Sequence, residues 1–488
     1  MLPYQSLIIL RRDAAPVLPQ QIATGLIDLI RRGVLPFGAQ FPGTRQLAEQ
    51  LCVNRQTITL AYEELQAQGW LVQQPRKAPL VCAQSPEAVS QPLQVLAGNF
   101  PDRAAFRFAA PQSAPVSGPA SLVLDGGLPD SRLAPHTLLA RNYRLATRWA
   151  AQQRQLLGYV APHGVLRLRQ QLARYLHDTR GVPATAGNVF ITRGSTMGFF
   201  LLAQLLVQAG DTVVVGERSY AEADAIFERR GARLARVAVD EQGLVVEALE
   251  ALCQRQAVRL LYVTPHHHYP TTATLSAVRR VRLLELAEQY DFIVLEDDYD
   301  FDYHYAGAPI LPLASADRTG RVLYTGSLSK VLAPAYRIGY IVAPEEVLAA
   351  LAPLRVLIDQ LGDPLLETAV ADLFAEGTMQ HHLARSRQVY QHRRDVFCTA
   401  LQTRLAPWFS FTPPTGGLAV WGGFLPEVDV PRLAQACLRH GLLISDGKAC
   451  QLPAEPRPTH LRLGFASLSP AELNRSVRVL ETALRTLE

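Results

Sequence analysis

The sequence predicts a multidomain chain: a mainly α N-terminal winged helix-turn-helix, a linker, and an α/β domain with a mostly parallel sheet and a smaller C-terminal α+β subdomain. Three observations predict it. Residues 1–82 carry short amphipathic helical patterns that end in two apolar strands around a basic tip. Residues 83–118 are rich in Ala, Pro, Ser and Gln, the composition of a linker. Across 119–488, short apolar runs alternate with amphipathic stretches, as in strands covered on both faces by crossover helices. The expected division of this last region is a large part over about 119–345 and a small subdomain over about 346–488.

In the first region, Ile22, Leu26, Ile27, Leu29 and Ile30 form one helical face between Gln20 and Arg32, closed by Gly33. Thr44 is expected to cap a second helix, 45–52, with Leu47, Ala48 and Leu51 inward. Asn54 caps a third, with Ile58, Ala61, Tyr62 and Leu65 inward, and Gly69 ends it. Trp70-Leu71-Val72 and Leu80-Val81-Cys82 flank Pro75-Arg76-Lys77, giving a strand, a basic tip and a strand. Such a unit sets its third helix in the major groove of double-stranded DNA. Arg55, Gln56 and Thr57, beside Asn54 at that helix's start, suit base edges: guanidinium to guanine, amide to adenine, hydroxyl or methyl to either. Arg45 suits a phosphate or a base edge. Phe41-Pro42-Gly43-Thr44-Arg45-Gln46-Leu47-Ala48, Val53-Asn54-Arg55-Gln56-Thr57-Ile58, Ala61-Tyr62-Glu63-Glu64-Leu65 and Gly69-Trp70 together resemble the GntR-type winged helix. The resemblance implies a promoter operator as partner. Pro75 and Pro79 stand where relatives place glycines, so the wing is expected to contribute less or to approach the minor groove differently.

In the α/β region, Val213-Val214-Val215, Leu260-Leu261-Tyr262-Val263, Phe292-Ile293-Val294-Leu295 and Val322-Leu323-Tyr324 read as buried strands, with helices such as 277–290 between them. Only three of the 48 basic residues are lysine: Lys77, Lys330 and Lys448. Lys330 ends Tyr324-Thr325-Gly326-Ser327-Leu328-Ser329-Lys330, with Arg337 after it and Glu296-Asp297-Asp298-Tyr299-Asp300 before it. An amine, hydroxyls, an arginine and a carboxylate make the set that pyridoxal 5'-phosphate requires. Arginine cannot replace that lysine, because it stays protonated. Lys330 is the expected catalytic residue, forming the aldimine. Asp297, just after strand 292–295, would hold the ring nitrogen, and Tyr299 the ring hydroxyl oxygen. Ser327, Ser329 and Arg337 would hold the phosphate, and Tyr220 would stack on the ring. Ile191-Thr192-Arg193-Gly194-Ser195-Thr196-Met197 joins a strand to a helix, and the amides of Gly194, Ser195 and Thr196 offer an anion site to the same phosphate. Ligands sit at the carboxyl ends of strands in such sheets.

From Gly126-Gly127-Leu128-Pro129-Asp130 to Leu461-Arg462-Leu463-Gly464-Phe465-Ala466 the region resembles fold type I pyridoxal-phosphate enzymes, the aspartate aminotransferase superfamily. Tyr159-Val160-Ala161-Pro162-His163-Gly164 looks like the family's tyrosine motif, and Gly416-Gly417-Leu418-Ala419-Val420-Trp421 like its glycine-rich motif. The resemblance implies that Tyr159 reaches the phosphate of a partner subunit, hence a homodimer, and that Arg462 grips a substrate carboxylate. A GntR-like reader ahead of an aminotransferase-like domain resembles the MocR regulators over nearly the whole chain. That implies a transcription regulator in which the cofactor, or its exchange with an amino compound, shifts the dimer between DNA-binding states. Two other readings stand beside it: an active aminotransferase on an amino acid, and a regulator that senses pyridoxal phosphate itself. Enzymatic turnover is left open: an effector-binding domain with at most weak or partial transamination is expected. In Pro265-His266-His267-His268-Tyr269-Pro270-Thr271-Thr272, His268 replaces a glutamine near the ring and Thr272 a glycine. Glu217-Arg218-Ser219 before Tyr220, and Ala419 in place of a common histidine, also depart from the pattern. These changes leave the effector's identity open.

The formal net charge of +5 neither demands nor opposes nucleic acid, so that case rests on the local segment. The six cysteines form no C-x-x-C pair, and buried free thiols in a reducing cytoplasm are expected. Leu7-Ile8-Ile9-Leu10 is too short for a signal core, and no apolar run reaches membrane-spanning length. No metal is expected at His266-His267-His268, because neighbouring side chains diverge.

Overall fold

The computed structural model describes residues 2–11, 16–73, 78–83, 85, 107, 120–124, 126–152, 157–307, 310–452 and 454–487. The chain forms two compact units, Met1–Ala114 and Pro115–Glu488. The wing tip Pro75-Arg76-Lys77 and all of the 83–118 linker except residues 83, 85 and 107 lie outside the described residues.

In the first unit the helices Leu18–Arg31, Thr44–Leu51 and Arg55–Ala67 follow a short turn of helix, Tyr4–Leu7. The strands Leu71–Val72 and Leu80–Val81 pair antiparallel, and Gln40 bridges to Leu80 on the other side. Ile22, Leu26, Leu47, Ile58 and Leu65 have no exposed surface, and Phe41, Tyr62 and Trp70 pack with them. Each such aliphatic side chain contributes roughly 1.5–3 kcal/mol when fully buried. Gly33 and Gly69, at φ 73° and 76°, take the left-handed conformation that ends their helices. Thr44 does not cap the second helix: Gly43 is the N-cap and Thr44 the first helical residue. Its hydroxyl instead accepts from Nε of Arg55 at 3.2 Å, which ties the two helix starts together. Asn54 does cap the third helix, its side chain accepting from the Gln56 amide at 2.9 Å. Replacing Asn54 with Ala leaves that amide without its cap and is expected to cost the first unit about 1 kcal/mol, read from its urea unfolding in the full chain.

The second unit is built on a seven-stranded sheet. Its order is Val189–Thr192, Gly339–Val342, Val322–Ser327, Ile293–Asp298, Leu260–Val263, Thr212–Gly216, Arg233–Val237. Only Gly339–Val342 runs antiparallel to its neighbours. These strands are apolar and, apart from Arg233–Val237, almost wholly buried, because helices such as Ser195–Leu206 and Ala277–Gln289 cover them. The strand expected at 292–295 runs on to Asp298, since Asp297 and Asp298 still pair with Thr325 and Gly326. Asp297 therefore lies inside the strand, not after it. A smaller antiparallel sheet, Phe409–Phe411, Ala419–Phe424 and His460–Gly464, packs with the helices Thr378–Leu405, Val430–Arg439 and Pro470–Leu487.

The two parts divide differently from the expected cut near 345. Leu348 and Leu351 of helix Glu345–Ile358 pack with Phe199 in the core of the large sheet. Helix Pro364–Ala375 lies against His136–Gln152. Conversely, Leu122–Val123 pairs with Leu442–Leu443 of the small part. Apolar faces at these positions find their partners across long sequence separations, which a linear cut cannot follow.

Candidate functional site

The loops after the carboxyl ends of the parallel strands converge on a cavity of about 480 Å³. That size suits a small organic ligand. Ser195, Thr196, Tyr220, Asp297, Tyr299, Ser327, Ser329, Lys330, Arg337 and Arg462 all line it. Each reaches it for a structural reason.

Along Ile293–Asp298 successive side chains alternate between the faces of the sheet. Glu296 and Asp298 share the rear face. Glu296 accepts from the Leu313 and Ala314 amides, both at 2.9 Å, and holds the start of a short helix. Asp298 accepts from the Tyr324 hydroxyl at 2.5 Å, with Arg180 at 3.6 Å. Asp297 alone turns to the cavity. Its Oδ2 accepts from the Tyr262 hydroxyl at 2.9 Å, while its Oδ1 is buried with no hydrogen-bond partner. Burial pushes this carboxyl up to about 7; Asp298 and Asp300 add to that, and the Tyr262 bond and Lys330 oppose it. An anion so placed is stabilised by any cationic group that enters beside Oδ1.

Lys330 follows the strand Val322–Ser327, and its Nζ donates to the Gly127 carbonyl at 3.2 Å. The Ser329 amide donates to Oγ of Ser327 at 3.1 Å, and Oγ of Ser329 is itself buried without a partner. Opposite them, helix Ser195–Leu206 starts at Gly194 with no side-chain cap, so its first amides stay available to an anion. Gly194 has φ 80° and ψ 167°, a region open almost only to glycine, and a Cβ there would stand 2.5 Å from Nη2 of Arg337. Arg337 lies across this helix start, donating to the Arg193 carbonyl at 3.0 Å. Gly194→Ala adds about 1–3 kcal/mol of backbone strain at this point and pushes the guanidinium aside. We expect at least a roughly tenfold weaker phosphate-ligand affinity, measured by fluorescence titration with pyridoxal phosphate.

Tyr220 packs edge-on against Tyr269, ring centroids 5.3 Å apart, and burial pushes its hydroxyl up to about 12. Tyr299 donates to the His267 carbonyl at 2.9 Å. Arg462, in the strand His460–Gly464, is buried, donates to the Pro270 carbonyl at 3.1 Å and lies 5.1 Å over the Tyr269 ring. Its Nε has no partner.

Three expected residues are not in the cavity wall: Gly194, which precedes Ser195 and Thr196 in that wall, Tyr159 and His268. Tyr159 is 84% exposed on this chain. His268 is not in the wall: its Nδ1 pairs with the Thr271 hydroxyl at 2.8 Å and its Nε2 faces the back of Gly216. The turn that carries it closes through the Thr272 amide on the His268 carbonyl. Burial, with the charge of Arg462, lowers it to about 3 and keeps it neutral. The expected divergence of the three histidines holds for His268 only, since His266 and His267 converge with His304. Ser219 and Tyr269, from the two segments that depart from the family pattern, also line the wall, whereas sequence reasoning missed Tyr262, the partner of Asp297, and Glu222, Cys450 and His460.

On the first unit, Arg45, Asn54, Arg55 and Gln56 are exposed and Thr57 half-buried, all at the adjoining starts of helices Thr44–Leu51 and Arg55–Ala67. Among the described residues no helix is long and apolar enough to cross a membrane.

The family model for bacterial regulatory proteins of the gntR family matches residues 18–81, and that for aminotransferase class I and II matches residues 129–480. The chain is 28% identical over 484 residues to the probable rhizopine catabolism regulatory protein MocR of Rhizobium meliloti, covering 99% of this chain and 97% of that protein. It is 31% identical over 482 residues to the HTH-type transcriptional regulator TauR of Rhodobacter capsulatus, covering 96% of each. Among solved structures, LysN, an α-aminoadipate aminotransferase of Thermus thermophilus complexed with N-(5'-phosphopyridoxyl)-L-leucine, is similar with a TM-score of 0.69 at 28% identity, over 75% of this chain and 92% of that one. With a gntR-family match over one unit and an aminotransferase match over the other, the chain belongs to the MocR-type transcriptional regulators, which join a GntR-family helix-turn-helix to an aminotransferase class I and II domain.

Proposed function

We propose that the cavity holds pyridoxal 5'-phosphate and that an amino compound arriving there, or the cofactor itself, sets how the regulator binds its operator. One observation carries this reading: the Lys330 amine and the partnerless buried Oδ1 of Asp297 face one cavity. The residues fit the group. Oδ1 of Asp297 suits a protonated ring nitrogen, with Tyr262 holding the carboxylate in place. The start of helix Ser195–Leu206, the Ser327 and Ser329 hydroxyls and Arg337 suit the phosphate. Tyr299 lines the cavity and would give up its bond to the His267 carbonyl to donate to the ring hydroxyl oxygen, and Tyr220 would cover the ring. When bound, the group supplies an aldehyde carbon for amine exchange and a ring that draws electron density.

The chain's own residues then do the sensing. Lys330 would provide the amine that holds the cofactor and a base within reach of an effector. Arg462 receives an effector carboxylate as a fork, giving up its hold on the Pro270 carbonyl. Ser219, Glu222, Cys450 and His460 shape the outer wall and so select what lies beyond the amine. The regulator acts as a homodimer in the cytoplasm, where Tyr159, exposed on one chain, reaches the phosphate of the partner's site. A ligand changes operator binding only as far as its affinity differs between the two states. The boundaries 1–82, 83–118 and 119–488 separate reader, linker and sensor.

Transamination is the second reading, favoured by the likeness to a solved aminotransferase, since Lys330, Asp297 and Arg462 would serve it equally. The test is borohydride reduction of purified protein with pyridoxal phosphate, followed by peptide mapping. The label is expected on Lys330, with loss of a visible absorbance band. No band, or a label elsewhere, contradicts the proposal. Turnover of amino donors at ordinary enzymatic rates, with no promoter binding, would favour the second reading instead.

A further inference from the structure

Behind the cavity, His266 and His267 leave the end of strand Leu260–Val263, and His304 arrives from the segment after Asp300. His266 and His267 are only 4% and 2% exposed. The ring centroids of His266 stand 4.5 Å from His267 and 5.7 Å from His304. One nitrogen from each of the three rings lies within 4.8 Å of the others. None of these side chains lines the cavity, so the cluster is separate from the proposed cofactor site.

The hydrogen bonds at the ring nitrogens decide which nitrogen carries a lone pair. Nδ1 of His267 is 2.7 Å from Oδ1 of Asp300. A carboxylate accepts, so Nδ1 carries the proton and Nε2 carries the lone pair. That Nε2 is buried and has no partner. Nε2 of His304 is 2.5 Å from the Ala306 carbonyl, which also only accepts. The lone pair of His304 is therefore on Nδ1, again buried and unpartnered. Neither nitrogen of His266 has a partner. A buried polar atom left unpaired costs about 1–3 kcal/mol, and folded proteins seldom gather several in one place.

We propose that His266, His267 and His304 bind a divalent cation of the zinc class. Burial holds His266 well below the usual imidazole range, in the neutral form that ligates. Asp300 plays the part of an outer carboxylate that orients a ligating imidazole and raises its basicity. Three nitrogens and no thiolate select zinc, nickel or copper over magnesium or calcium. Zinc–nitrogen bonds of about 2.0–2.1 Å would draw the three nitrogens somewhat closer than they stand now. The ion would fasten the turn after Leu260–Val263 to the segment after Ile293–Asp298. It would brace Tyr299 indirectly, because that hydroxyl donates to the His267 carbonyl.

The test uses full-length protein without a histidine tag, stripped with a chelator, reloaded with pyridoxal phosphate and titrated with Zn²⁺ by calorimetry. One equivalent per chain is expected, with a Kd of about 1 µM or tighter. Co²⁺ in its place should give visible bands typical of a low-coordinate nitrogen site. His266→Ala and His304→Gln should each weaken Zn²⁺ by at least roughly a hundredfold, while the visible absorbance before reduction and the borohydride label at Lys330 persist. Wild type that takes up no Zn²⁺, or a double variant that takes it up unchanged, overturns the proposal; a bridging water then satisfies the three rings.

Discussion

Lys330→Ala is expected to abolish the visible absorbance, the borohydride label and every effector response of operator binding, while the protein still binds operator DNA. The change removes the one lysine amine that lines the cavity among the described residues but leaves Leu328, Val331 and Leu332 in the core beside it. Arginine at this position should fail in the same way, because a guanidinium stays protonated and does not condense with an aldehyde. The loss of response is complete, not graded, since it follows from losing a covalent partner and not from a weakened contact. Absorbance spectra, thermal unfolding and operator titrations of wild type, Lys330→Ala and Lys330→Arg check it together. A variant that kept the effector response would place the sensor elsewhere.

The second large effect is on the reader. Arg55→Ala should weaken specific operator binding by about 1–3 kcal/mol, about 5- to 150-fold, and relax the base preference at one position of each half-site. Its guanidinium is exposed, and Thr44 holds Nε, which leaves the two terminal nitrogens free to fork onto a base edge. Arg45→Ala should act differently if it meets a phosphate: weaker binding across all sequences and a shallower salt dependence by about one unit. Both variants should keep the cofactor spectrum unchanged. Fluorescence anisotropy at several salt concentrations separates the two behaviours.

Much of this was legible in the sequence because the chemistry is local. Lysine is rare here, so Lys330 beside Ser327, Ser329 and Arg337 stands out, and the structure gathers all four at one cavity. Asn54 and Gly69 mark helix ends through their own backbone preferences. What was not legible depends on register and on distant partners. Tyr262 reaches Asp297 only because their strands align Tyr262 with Leu295. Thr44 looked like a cap, but its hydroxyl is claimed by Arg55 from the next helix. His268 was expected at the ring, yet it packs against Gly216 outside the cavity wall, while His266 and His267 meet a histidine from another strand end. The doubled acids Asp297 and Asp298 look alike in sequence, and strand alternation alone assigns one to the cavity and the other to Arg180.

The central claim is that chemistry at Lys330 is read out as DNA affinity. Operator anisotropy with one fragment from the gene's own upstream region tests it most directly, comparing cofactor-free protein, protein with pyridoxal phosphate, and that complex with a panel of amino compounds. The account predicts that at least one of these steps shifts the operator Kd by about 5- to 150-fold, and that the shift vanishes in Lys330→Ala. Equal affinity in all states, or a shift that survives in Lys330→Ala, would contradict it.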